Sequence, residues 1–217
     1  MTELFNKELK LAASPLSYFF IVAAFLTFVP GYPILLGAFF TTLGIFYSFQ
    51  STRENNDIGY TLLLPVAKKD IVRSKFAFVV FIEACSFALM VVITLVRMIF
   101  LTDAAVYVSN ALMCANLSFL GFALLIFGLY NFVFVRGFFK TAYYFGKPFI
   151  AYIVVSLIVI VFAEALHHFP GLERVNSFGF ADLQPQALIF CVGAVSFAVL
   201  TLAAVKLSVK TFERIDL

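Results

Sequence analysis

Apolar residues gather into long runs separated by brief polar intervals, at about Leu16 to Val29, Tyr32 to Phe49, Phe76 to Phe100, Val106 to Val135, Pro148 to Leu166 and Ala187 to Leu207. Most approach the about 20 residues that a helix needs to cross the hydrocarbon core. Backbone groups in lipid must be satisfied within their own segment, so the runs are helices. The pattern predicts an all-α integral membrane protein with six transmembrane helices. Pro30-Gly31-Tyr32-Pro33 leaves room only for a tight hairpin between the first two. Ahead of them Met1, Phe5, Leu9 and Ala12 share one helical face, with Lys7 and Lys10 off it. That spacing predicts an amphipathic interfacial helix over residues 1–14. No linker or internal repeat divides the chain, which reads as a single transmembrane domain over 1–217.

Composition agrees: 63% of residues are hydrophobic and 12% charged, against about 45–50% and about 25% in soluble domains. No basic tail or motif marks nucleic acid as a partner. Cys85, Cys114 and Cys191 lie in apolar runs without CxxC spacing and read as small buried hydrophobes. The first run lacks an A-x-A-like site, so the first helix is expected to be retained rather than cleaved. With the N-terminus inside, Lys7, Lys10, Arg53, Lys68, Lys69, Arg73, Lys75, Arg136, Lys140, Lys147, Lys206, Lys210 and Arg214 all fall on the cytoplasmic side. Only Arg174, and Arg97 near a span end, fall opposite. The positive-inside rule then places both termini in the cytoplasm. The segment VRGFFKTAYYFGKPF, basic and aromatic, reads as an interface anchor, and His167 to Gln186 as an external loop folded onto the outer face.

The chemistry of an enzyme is missing from the pattern. There is no GxxxxGK[ST]; Phe145-Gly146-Lys147-Pro148 lacks the first glycine and the hydroxyl. Glu164 and His167 stand at i and i+3 beside His168, a spacing used in carboxylate–histidine metal sites. These are the only two histidines, however, and neither HExxH nor GxSxG occurs. No catalytic residue and no metal are assigned. Ionisable groups inside spans point to function by default, and Glu83 is the clearest. It is a candidate for the translocation path or for intramembrane pairing with a helix carrying Asn116 or Asn131. Arg97 is expected to snorkel to the interface. The 30 phenylalanines face lipid, pack, or line a route for an amphiphile.

The longest polar interval, Ser51 to Lys75, encloses a plug, Leu62-Leu63-Leu64-Pro65, too short to span a membrane. Its leucines must bury against protein or the membrane surface, and Pro65 ends one helix and can open the next. The run Tyr60-Thr61-Leu62-Leu63-Leu64-Pro65-Val66-Ala67-Lys68-Lys69-Asp70-Ile71-Val72-Arg73-Ser74-Lys75, with Glu54 before it, resembles the "E…SLPVSRKEIVxxK" pattern of small bacterial ABC type-2 membrane subunits. Leu64 stands for the usual serine and Ala67-Lys68 for Ser-Arg. The tail Leu207 to Leu217 is similar to that group's "S-x-K-x-[YF]-E-[KR]-x-[DL]" ending.

The resemblance implies the membrane subunit of an ATP-binding-cassette exporter in the bacterial cell membrane. Such subunits form homodimers or heterodimers with a second permease, surrounded by membrane lipid. ATP and magnesium are then bound by a separate ATPase subunit, and this chain carries no cofactor. Carried over, Glu54, Leu63, Leu64, Pro65, Lys68, Lys69, Asp70 and Ile71 form or brace the ATPase contact. The phenylalanine-rich spans suit a peptide or a lipophilic or amphipathic cargo. The alternatives are an ATP-independent secondary transporter or channel, an intramembrane enzyme, and a sensory or immunity protein on the same scaffold.

Overall fold

The computed structural model describes residues 2–101, 104–141 and 144–215, and among these the chain is helical with no strand. In order come α1 (Thr2–Ala12), α2 (Pro15–Phe28), α3 (Leu36–Glu54), α4 (Asp57–Leu62), α5 (Lys68–Phe100), α6 (Ala105–Val108), α7 (Leu117–Lys140), α8 (Gly146–Leu166) and α9 (Leu183–Phe212). A single 3₁₀ turn, Glu173–Asn176, lies between the last two. By length and apolarity α5, α7, α8 and α9 can each cross a membrane. The pair α1 and α2, bent by 94°, makes up to a fifth candidate. The six expected spans are therefore not all reproduced: α3 coincides with the second run, but its helix continues into Gln50-Ser51-Thr52-Arg53-Glu54, so its second half turns polar.

Local sequence explains the short first hydrophobic helix. Ser14 caps it by accepting from the Leu16 N–H, and Pro15 occupies the first turn, where no N–H is needed. Phe20–Phe28 then winds as 3₁₀ helix. At about 2.0 Å rise instead of 1.5, those residues stretch α2 to about 25 Å.

α7 is the central helix, and its closest neighbour is α9. Their backbones meet at glycine: a Cβ on Gly193 would lie 2.1 Å from the Gly121 carbonyl oxygen, and one on Gly128 would lie 2.9 Å from Phe197 Cα. Small residues bring membrane helices into such contact, where dispersion and backbone polarity replace a hydrophobic drive. Beside this seam α3, α7 and α8 share an aromatic core, with Phe46 stacked on Phe149 at 3.8 Å between centroids and Phe49 edge-on to Phe138 at 4.9 Å. Outward faces stay apolar. On α9, Leu188, Val192, Val195, Val199 and Leu202 are all exposed along one helical stripe.

Several expectations shift. The fourth run starts as a helix only at Leu117, because Asn116 accepts from the Phe119 N–H and sets the N-cap there. Phe138 and Phe139 are fully buried core residues rather than interface anchors, since α7 carries them on into the bundle. Ala142 and Tyr143 of that segment lie outside the described residues. Cys114 is buried, but Cys85 is only half-buried and Cys191 is exposed on the apolar outer side of α9. On α1 the stripe turned to protein is Leu4, Glu8 and Ala12, while Phe5 and Leu9 are half-buried. Met1, from the expected stripe, lies outside the described residues.

Candidate functional site

Three polar features stand out in the bundle. The first surrounds the Ser51–Lys75 interval. Asn56 adopts the left-handed conformation (φ 49°), which folds α4 sharply back after α3. Ile58 and Thr61 then face inward, and Tyr60, Leu63 and Leu64 face out, Leu63 with 82% of its surface exposed. Against this chain, then, only Leu62 of the plug's leucines packs on the core; Leu63 and Leu64 form a protruding knob. Pro65 follows α4, but Val66 and Ala67 intervene before α5, so it separates the two helices without opening the second.

Under the knob lies a network that periodicity did not reveal. Lys75 Nζ is 2.5 Å from Glu8 Oε2 and 3.6 Å from Asp57 Oδ2, and it donates to Thr52 Oγ1 at 2.7 Å. Lys7 Nζ reaches Asp57 at 2.6 Å and Thr61 Oγ1 at 2.8 Å. Two lysines thus answer two carboxylates, and the set ties α1, α3, α4 and α5 together. Glu8 and Lys75 are buried, and each is stable there because the other stands at 2.5 Å, with Lys7 and Asp57 each at 3.6 Å as the second partners. The one sequence signal for this was a charge at the middle position of the Leu4–Glu8–Ala12 stripe.

The residues assigned to the ATPase contact divide by exposure. Leu63, Leu64, Pro65 and Lys69 are exposed, as is Glu54, which accepts from the Gln50 amide. Asp70 is half-buried, and Lys68 donates to the Ile215 carbonyl oxygen at 2.7 Å, joining the loop to the C-terminal end of the chain. Ile71 is buried in the core, so it can brace a contact but not touch a partner. Asp216 and Leu217, from the tail pattern, lie outside the described residues. Arg53 covers the ring of Phe145 at 5.0 Å, which brings the loop between α7 and α8 to the same end.

Glu83 carries the second feature, midway along α5. Asn131 on α7 donates to Glu83 Oε2 and to Thr201 Oγ1 of α9, both at 3.0 Å. Asn131 lies in a π-helical stretch, Tyr130–Val135, a widened turn that re-aims side chains and recurs at functional sites. Glu83 Oε1 and Asn131 Oδ1 have no hydrogen-bond partner among the described residues. A cavity of about 110 Å³ with apolar walls lies against Glu83, between Phe87, Leu124, Phe127 and Phe197; Asn131 does not line it. Of the two asparagines considered for pairing with Glu83, Asn131 is the partner. Asn116 is not, because it sits at the far end of α7, donating to the Val175 and Ser177 carbonyls.

At that far end is the third feature, a hydrogen-bonded cap in which Arg97 Nε, Glu164 Oε1 and His167 Nδ1 stay without a hydrogen-bond partner among the described residues. Arg97 does not snorkel: it is buried, donates to the Thr27 carbonyl at 2.6 Å and lies over the Tyr107 ring at 4.1 Å. The carbonyls left free at the end of α2 hold it there, while the Tyr107 hydroxyl donates to the neighbouring Phe28 carbonyl. Glu164 accepts from the Met113 N–H and His167 Nε2 contacts the Ala111 carbonyl, so both are engaged locally. Among the described residues no three metal-ligating side chains come together.

Long apolar helices, apolar outer faces and a bundle with all its lysines and arginines but Arg97 and Arg174 at one end define a multi-pass membrane protein. The family model described as ABC-2 family transporter protein matches residues 3–213, nearly the whole chain, and the chain belongs to that family of membrane transport components. No curated protein and no solved structure matches it.

Proposed function

We propose that this chain is the membrane-spanning subunit of an ATP-binding-cassette exporter, forming the path for a peptide or amphipathic substrate and powered by a separate ATPase. The observation that carries the reading is the knob of Tyr60, Leu63 and Leu64. Exposed leucines at the C-terminal end of a helix of six residues, set over a buried ion network, are an apolar anchor mounted on a rigid base. An interface of that kind derives its strength from a few such anchors in a partner's pocket. Glu54, Pro65, Lys68, Lys69 and Asp70 rim the knob and set its orientation, and Ile71 braces it from within.

In this reading α2, α3, α5, α7, α8 and α9 are the six spans and α1 lies along the cytoplasmic interface. The basic end and both termini are cytoplasmic, the membrane is the bacterial cell membrane, and the working unit is a dimer. Because α5 begins directly after the knob and runs the full depth of the bundle, movement of the knob is transmitted along it. The ATPase drives the cycle by binding one state of the membrane dimer more tightly than the other.

The test is co-expression with an ATPase subunit encoded beside this chain, reconstitution, and measurement of ATP hydrolysis for the wild type and Leu63→Asp. Hydrolysis that needs both proteins and drops at least tenfold in the variant supports the reading. Hydrolysis that needs both proteins but is indifferent to the variant removes the knob as the coupling element, and no association with any ATPase moves the chain to the ATP-independent transporters.

A further inference from the structure

At the basic end of the bundle the last turn of α7 and the first turn of α8 meet at Gly137. A Cβ there would lie 2.7 Å from Pro148 Cβ, so a residue without one lets the two helices close up. Beside the contact runs a groove of about 270 Å³, between Phe132, Val133, Arg136 and Lys140 of α7 and Pro148 and Ala151 of α8. Arg136 and Lys140, at i and i+4, share one helical face, and no carboxylate joins them in the groove wall. Neither makes an ion pair or a hydrogen bond among the described residues. Arg136 lies over the Phe132 ring at 4.8 Å, which covers one face of the guanidinium and leaves the N–H groups at its edge free to donate. Other cations at this end are answered: Lys7 and Lys75 by Glu8 and Asp57, Lys68 by the Ile215 carbonyl.

The groove also continues onto the apolar outer surface. Ala151 is exposed, and Ile150, Val154, Leu157 and Ile158 extend the same exposed side along α8. A molecule seated there meets two cations at the helix ends and hydrocarbon-facing side chains beyond them, which is the division of a lipid into headgroup and chains. The volume is a little below the about 300–1,000 Å³ of pockets that enclose a drug-sized ligand. It suits a headgroup whose chains remain outside.

We propose that this groove binds an anionic phospholipid. Its phosphate oxygens accept from the Arg136 guanidinium and the Lys140 ammonium, and its chains lie along α8 from Ala151 past Val154. Phosphate matches the fork of arginine donors, and basic pockets between transmembrane helices hold anionic headgroups in this way. Bound so, the lipid bridges α7 and α8. That the cytoplasmic leaflet supplies it rests on the reading of the basic end as cytoplasmic; the site itself requires neither that orientation nor an ATPase.

The purified full chain in detergent is titrated with palmitoyl-oleoyl phosphatidylglycerol and with palmitoyl-oleoyl phosphatidylcholine, and bound lipids are counted by native mass spectrometry. The first phosphatidylglycerol is expected to bind at least tenfold more tightly than the first phosphatidylcholine. Arg136→Gln with Lys140→Gln is expected to reduce that preference to about twofold or less. Lys206→Gln with Lys210→Gln, an exposed pair of the same spacing on α9, is expected to keep it. Equal binding of the two lipids, or a preference that survives loss of Arg136 and Lys140, overturns the proposal. So does a preference that falls as far with Lys206 and Lys210, which would mean that net charge and not the groove attracts the lipid. Displacement of phosphatidylglycerol by an equal concentration of inorganic phosphate would leave a plain anion site, and a dimer that the Arg136 and Lys140 variant dissociates would assign the groove to a second copy; both overturn it. If the double glutamine variant fails to fold, Lys140→Gln alone decides, with a loss of at least about threefold expected and a smaller one counting against the site. Since nucleotide and ATPase are absent, a failed Leu63→Asp experiment and a failed lipid titration remain separate results.

Discussion

The clusters around Lys75 and around Glu83 sit on the same helix, two turns or so apart, and are built on opposite principles. At Lys75 two cations and two carboxylates close on one another within hydrogen-bonding reach of Thr52 and Thr61. At Glu83 a carboxylate meets only an amide, and acceptors are left over. A closed network resists change and suits a fixed mount, whereas an open one costs free energy that the surrounding packing must offset. The difference teaches that burial of charge is handled in two ways in this bundle: closed by counter-charges at Lys75, and left partly open at Glu83.

That contrast yields graded expectations. Lys75→Met leaves buried Glu8 with only the more distant Lys7, 3.6 Å away, and breaking a buried pair costs about 3–5 kcal/mol. We expect the purified variant to lose most of its thermal stability in detergent, with α1 becoming protease-sensitive. Replacing both partners, Glu8→Leu with Lys75→Met, removes the uncompensated charge and is expected to recover much of that loss. Recovery absent in the double variant would show that Lys75 acts through Asp57 and Thr52 instead.

A change of intermediate size tests packing rather than charge. Gly193→Ala puts a methyl group against the Gly121 carbonyl, and overpacking of this kind costs about 1–3 kcal/mol. The melting transition should fall, while Leu63→Asp, on an exposed knob, should leave it unchanged. The smallest effect is expected at Glu83. Glu83→Gln keeps the shape and removes a poorly answered charge, so stability should stay within about 1 kcal/mol of the wild type or rise slightly. A loss as large as that of Lys75→Met would mean that Glu83 is a structural member of the α5–α7–α9 packing, and would erase the distinction between the two clusters.

Legibility in the sequence followed the range of the forces involved. The runs that became α5, α8 and α9 were visible because hydropathy is a local property; their observed ends differ by a few residues, where polar turns such as Lys68 to Lys75 extend a helix past its apolar part. The fourth run was misread at its start because Asn116, expected within the helix, is its cap. Glu83 and the Leu62–Pro65 plug stood out as exceptions to their surroundings. Lys75 and Glu8 did not, since a charge near a span end looks the same whether it meets water or a partner. Arg97 was expected at the interface for the same reason and proved to be held by α2 and Tyr107.

From its sequence alone this protein was determined to be a helical membrane protein with a basic end, an apolar plug in its longest polar interval and a carboxylate within a span. All of these follow from composition read along the chain. Only the tertiary structure decided that Lys75 belongs to Glu8, that Asn131 and not Asn116 meets Glu83 across 48 residues of chain, and that Gly121 and Gly193 touch. The physical reason is that hydrophobicity acts on each segment separately, while the partner of a buried polar group, or the place where two backbones come close, exists only once the helices have packed.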